Sequence, residues 1–186
     1  MDDLVREARE NPGKINYASS GFGSIQHVIM AGLAYATDTN MVHVPFKGVA
    51  EAVPALLSGD VPVMVSGYDT IATHVQAGVV RILATAGNKR IAAAPNVPAI
   101  AEFLKEGFVI DSRIGLLGPA NMPTDFLGKL SNALKTAIES PDLREAISAN
   151  GTRSINWTSP LEYAESIRSN IEKFDRIVAI TGIRQE

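Results

Sequence analysis

Apolar residues follow two alternating rhythms up to Pro98: short continuous runs, and stretches with a three-to-four spacing. Ile15 to Ser19, Met41 to Val44, Val61 to Ser66 and Val80 to Thr85 are runs bounded by turn formers, which predicts four strands. Asp2 to Glu10 predicts a charged helix, stopped by Asn11-Pro12-Gly13. Ser24 to about Thr37 predicts a second helix with Ser24 as its N-cap. Its apolar face carries Ile25, Val28, Ile29, Gly32, Leu33 and Ala36. Val49 to Ser58 and Thr70 to Gln76 predict two more helices. Short strands and helices in this alternation are βα units, whose sheet is largely parallel and buried on both faces.

The rhythm changes after Pro98. Ala99 to Lys105 predicts a short helix, and Phe108 to Gly118 a long extended segment. From Pro123 the chain turns helical, with one stripe at Leu127, Leu130, Leu134 and Ile138 and another at Ala164, Ile171, Phe174 and Val178. Between them Thr152 to Asn156 predicts a single strand. So few strands cannot build a sheet of their own, and the two stripes need a partner surface. The boundary between halves is expected in the stretch Asp111 to Ala120.

Composition narrows the function classes. The chain has 186 residues, 46% hydrophobic and 20% charged, enough for a sizeable core. A net charge of −3 with no basic cluster argues against nucleic acid. Cys is absent, which excludes disulfides, thiolate metal sites and a cysteine nucleophile. No apolar run reaches membrane-spanning length, and Met1 to Glu10 does not have the basic start and apolar middle of a signal peptide. No cofactor motif is present. His27, His43 and His74 lack metal-ligand spacing.

The candidate chemistry lies where strands meet helices. Tyr17-Ala18-Ser19-Ser20-Gly21-Phe22-Gly23-Ser24 places a strand, a glycine-containing turn and a helix start in succession. Free backbone N–H groups and the positive end of the helix dipole converge there, which suits an anion. The plain alternative is an ordinary turn capped by Ser24. Pro45-Phe46-Lys47-Gly48-Val49-Ala50 repeats the arrangement, and Ser66-Gly67-Tyr68-Asp69-Thr70 follows the third strand. In open α/β sheets, ligands sit beyond the carboxyl ends of the strands, so these three loops together suggest an anion-binding rim. Singly, Lys47 reads as a solvated lysine and Asp69 as a helix cap. A hydrolase built on Ser24 and His27 is a weaker reading. Gly-x-Ser-x-Gly is missing, and a histidine three residues on along a helix is most simply a packed residue.

A series of collinear motifs resembles one family. Asn11-Pro12-Gly13-Lys14-Ile15-Asn16-Tyr17-Ala18-Ser19-Ser20-Gly21-Phe22-Gly23-Ser24 comes first, then Val42-His43-Val44-Pro45-Phe46-Lys47-Gly48 and Ala55-Leu56-Leu57-Ser58-Gly59-Asp60-Val61. Ala94-Pro95-Asn96-Val97-Pro98, Gly115-Leu116-Leu117-Gly118-Pro119-Ala120 and Pro160-Leu161-Glu162-Tyr163 follow in order. Together they resemble the receptors of tripartite tricarboxylate transporters, the Bug (Bordetella uptake gene) proteins. The resemblance implies a periplasmic solute receptor with two α/β lobes of the type II periplasmic-binding-protein kind. It implies a small carboxylate or dicarboxylate as ligand, and delivery to a membrane permease of one large and one small subunit. It implies neither catalysis nor a cofactor. Family chains begin with a signal peptide and the first part of lobe one, so this chain is expected to be truncated. It would comprise all of lobe two, residues 2–111, then the return strand and helical C-terminal part of lobe one, residues 112–186.

Carried over by position, the ligand-binding residues are Ser20, Gly21, Gly23 and Ser24, with Gly48, Val49 and Ala50 at the second helix start. Two departures stand out. Ser66-Gly67 occupies the place where the family commonly carries a ligand-selecting Asp, and Arg113 lies where the return strand usually has aromatics. Arg113 is either a bidentate partner for a ligand carboxylate or a surface hinge residue. The rival reading is a stand-alone interaction module, a homo-oligomer or segment-swapped assembly formed through the two apolar stripes.

Overall fold

The computed structural model describes residues 1–90, 94–104, 109–110, 114–148 and 156–183. Helix α1 spans Asp2–Glu10, strand β1 Ile15–Ser19, α2 Ile25–Thr37, β2 Met41–Pro45, α3 Val49–Ser58, β3 Val63–Met64 and α4 Tyr68–Gln76. A 3-10 turn follows at Ile100–Glu102, then α5 at Thr124–Glu139, α6 at Pro141–Ser148 and α7 at Pro160–Thr181.

The three strands form one parallel sheet in the order β2-β1-β3. Ile15 to Ser19 run in register with Met41 to Pro45, and Tyr17 and Ala18 pair with Val63 and Met64. Successive side chains on a strand point to opposite faces, and β1 uses both. Ile15 and Tyr17 join a core with Val28, Ile29, Met30 and Leu33 of α2. Ala18 joins a smaller core with Ala52 of α3 and Val61. The sheet is therefore covered on both sides, as the βα alternation implies.

Two strands differ from the hydrophobic pattern, for reasons visible in the backbone. Val80 to Thr85 forms no strand beyond one isolated parallel bridge between Thr85 and Ala99. The N–H groups of Val79 and Val80 both donate to the His74 carbonyl at the end of α4, at 3.0 and 3.2 Å, and so cannot enter a ladder. β3 is cut short at its start because Val61 N–H donates to Ala55 O at 3.1 Å, and Pro62 has no N–H. Residues 109–110 and 114–118 of the expected extended segment carry no regular structure. The expected strand Thr152 to Asn156 lies outside the described residues except for Asn156.

The chain separates into two compact units, Met1–Asp111 with Glu172–Glu186, and Ser112–Ile171. In the first, Ile177 is fully buried in the larger core, and Phe174 and Val178 pack against it. That half of the second apolar stripe therefore has its covering surface. In the second unit, α5 buries no residue, and Phe126, Leu127 and Leu130 are exposed. α7 begins with a capping box: the Glu162 carboxylate accepts from Ser159 N–H at 3.0 Å and Ser159 Oγ at 2.6 Å, and Ser159 Oγ accepts from Glu162 N–H at 3.3 Å. Pro160 occupies the first helical position, where its missing N–H costs nothing. Among the described residues, no helix is long and apolar enough to cross a membrane.

Candidate functional site

Because β1, β2 and β3 are parallel, their carboxyl ends lie on one edge of the sheet. The loop after β1 is central, between the loops after β2 and β3. This topology brings Ser20, Gly21, Gly23 and Ser24 to the same edge as Gly48, Val49, Ala50 and Ser66. The first two loops also bond directly: Phe46 N–H donates to Ser19 O at 3.0 Å. Gly21 has φ +128° and Gly48 φ +106°, conformations that L side chains rarely adopt. Arg113 lies outside the described residues.

Inside the β1–α2 loop most polar groups are already paired. Ser24 is the N-cap of α2, its Oγ accepting from His27 N–H at 3.3 Å. The His27 ring reaches back, its Nδ1 accepting Gly23 N–H at 3.2 Å. This is a variant of the capping box in which an imidazole takes the N–H one residue before the cap. The spacing that could suggest a hydrolase is thus a helix start. Ser24 N–H donates to Gly21 O at 3.3 Å, so the N–H groups of Gly23 and Ser24 are engaged within the loop. The open donors are instead those of Ile25 and Gln26, the first two helical positions, which have no acceptor among the described residues. Ser20 Oγ donates to Gln26 Oε1 at 2.9 Å, which sets the Gln26 amide beside them. Gln26 went unnoticed in the sequence because nothing in its spacing marks it; only its place at the second helical position could have.

The electrostatics of this helix start differ from those of the other described helices. α1, α3, α4, α5, α6 and α7 each carry an acid in the first turn, and α2 carries none. At α3 the Glu51 carboxylate accepts Lys47 N–H at 3.2 Å, so Gly48, Val49 and Ala50 sit beside a negative charge. The positive end of the α2 dipole is not offset in this way. Ser66 Oγ donates to Gly67 O at 3.2 Å.

Beneath the loop lies a ring cluster that the sequence did not reveal. His27 and His43 stack with centroids 3.6 Å apart and an interplanar angle of 14°. Tyr17 stacks on His43 from β1 at 5.2 Å, and Phe22 meets both histidines edge-on. His43 Nε2 lies 2.6 Å from Ser19 Oγ, which also contacts Gly21 N and Gly21 O at 3.1 and 2.9 Å. Ser19 and His43 do not form a nucleophile–base pair. Ser19 is fully buried, His43 Nδ1 has no hydrogen-bond partner to orient the ring, and burial followed by the neighbouring His27 pushes the His43 pKa down to about 4. Burial likewise lowers the pKa of His27 and pushes that of Tyr17 up to about 12. No metal-binding cluster of His, Asp or Glu occurs among the described residues.

A parallel α/β sheet with glycine- and serine-bearing loops converging at its carboxyl edge is the arrangement in which open α/β folds place their ligands. The sequence profile of the tripartite tricarboxylate transporter family receptor matches residues 1–183, and the chain belongs to that family. It is a family of receptors and not of enzymes. A Cupriavidus necator protein of the UPF0065 group is 32% identical over 183 residues, 98% of this chain and 55% of its own length. A solved periplasmic transporter structure superposes with a TM-score of 0.80 at 29% identity, over 99% of this chain and 61% of that one. An R. palustris protein solved with adipate superposes with a TM-score of 0.86 at 23% identity, over 98% of this chain and 61% of that one. This chain thus spans little more than half the length of such relatives.

Proposed function

We propose that the chain is the carboxylate-binding part of a periplasmic receptor that hands its ligand to a membrane permease, with a dicarboxylate as the ligand class. Residues 2–111, with the C-terminal part of α7 packed on them, are the ligand-binding lobe, and residues 112–171 belong to the other lobe. The observation that carries this reading is the α2 start. It is the one helix among those described that lacks a first-turn acid, and it leaves the Ile25 and Gln26 N–H groups open at the centre of the sheet's carboxyl edge. One ligand carboxylate docks on these donors, with the Gln26 amide and Ser20 hydroxyl beside it. Gly21 and Gly48 keep side chains away from the approach. Binding of adipate by a protein of the same fold supports the ligand class. Ser66 places a hydroxyl rather than a carboxylate at the start of the third loop, with Asp69 following in the first turn of α4. The stand-alone oligomerising module has no observation in its favour.

The test is titration of ¹⁵N-labelled chain with adipate and with an equal concentration of a monocarboxylate. Amide shifts at Ile25, Gln26 and Gly48, larger with adipate, are expected. Shifts centred on Trp157 or His74, with Ser20 to Gln26 unmoved, would sink the assignment.

A further inference from the structure

The ring cluster has no part in the ligand contacts above, and its hydrogen bonds impose a condition on the loop. Gly23 N–H is a donor, so His27 Nδ1 must be an acceptor, and its proton is on Nε2. Ser19 has one hydroxyl hydrogen, and Gly21 O takes it at 2.9 Å, so His43 donates from Nε2 to Ser19 Oγ at 2.6 Å. His43 Nδ1 then keeps a buried lone pair without a partner. Through these bonds the two rings hold the amides of Gly23 and, by way of Ser19, Gly21. The groups facing the pair are Tyr17 from β1 and Phe22 from the loop above. No carboxylate or cation among the described residues bonds to either ring, and α2 brings no first-turn acid.

We infer that His27 and His43, as a neutral stacked pair, position the Ser19–Ser24 loop, and that proton uptake by His27 releases it. His27 can accept a proton at Nδ1 only by giving up Gly23 N–H. His43 does not take the proton first, because its Nδ1–H would be buried without an acceptor. Nor do both take one, since two cations stacked 3.6 Å apart repel. The neutral ring closes the α2 capping box without the negative charge that Glu162 brings to α7. Proton uptake therefore leaves the loop disordered at the site where the proposed ligand docks. That consequence for binding rests on the function proposed above; the loop release does not.

The experiment follows the histidine ring and Gly23 amide signals of the full chain by NMR from about pH 8 to about pH 4. The Gly23 amide should shift and lose exchange protection with the same midpoint as the His27 ring. In His27→Asn, whose side-chain oxygen takes the place of Nδ1 and does not titrate, the Gly23 signal should stay flat. A Gly23 amide indifferent to His27 titration in the wild type, or one that still shifts in His27→Asn, would overturn the proposal. Adipate titrations of both proteins form the second arm, with His27→Asn correcting for the ligand's own protonation. Wild-type affinity should fall about three- to tenfold further than that of the variant, the worth of one hydrogen bond. If Gly23 tracks His27 but adipate binds neither protein at any pH, the loop release stands and the ligand assignment fails. Equal pH dependence of adipate affinity in both would refute the coupling to binding.

Discussion

Helices α2 and α7 begin with the same device and put it to different uses. In each, a serine caps the helix and the third helical residue reaches back to an N–H outside it: Ser24 with His27 in one, Ser159 with Glu162 in the other. Glu162 closes its box with a charge that also offsets the helix dipole, which suits a helix whose start has only to be stable. His27 closes its box with a neutral ring and leaves the dipole available. Satisfying a helix start and keeping it attractive to an anion are separate requirements, and an uncharged acceptor meets both.

Gln26→Glu breaks the comparison most directly, by giving α2 the first-turn acid that the other helices have. The helix should gain about 0.3–1 kcal/mol, while adipate binding should weaken by roughly 2–4 kcal/mol through repulsion at short range. Thermal melts and calorimetric titration should therefore move in opposite directions. If binding is unchanged, the ligand does not sit at this helix start. Next in size are the two caps. Ser24→Ala and Ser159→Ala should each destabilise the chain by about 0.5–2 kcal/mol in denaturant titrations, but only Ser24→Ala should reduce adipate affinity. A smaller effect of about 1 kcal/mol on binding, with stability nearly unchanged, is expected of Ser20→Ala, since Ser20 holds the Gln26 amide in place.

Acid should separate the two boxes by pH rather than by size. Burial holds His27 and His43 below the ordinary value of 6.5, so their contribution to stability is full above it and declines as pH falls below it, that of His43 toward about 4. Hydrogen bonds from Ser159 hold Glu162 below its ordinary 4.5, so that box persists until pH falls under that value. Amide exchange at Ser159 should stay protected at a pH where Gly23 has lost protection. Loss of both in one step would show that the two starts are not independent.

How much was legible in the sequence depended on whether a signal was local. The Ser24 cap, the first βα units and the carboxyl-edge loops are written in neighbouring residues, and each appears where the pattern places it. Strand Val80 to Thr85 was misread because its first N–H groups close α4, a competition that hydrophobic spacing does not register. The second half of the α7 stripe, Phe174 and Val178, looked uncovered because the core around Ile177 comes from residues far earlier in the chain, while Ile171 stays exposed.

The sequence by itself determined the family, the class of fold and the loops that form the carboxyl edge. It did so because strand, turn and cap preferences act over a few residues and the motifs keep their order. Only the tertiary structure decided which amides stay open at that edge, and that His27 and His43, sixteen positions apart, lie 3.6 Å apart as a stacked pair. One ring comes from α2 and the other from β2, and their meeting depends on how the helix packs across β1. No spacing along the chain encodes that contact, because it is made by the packed core and not by either segment alone.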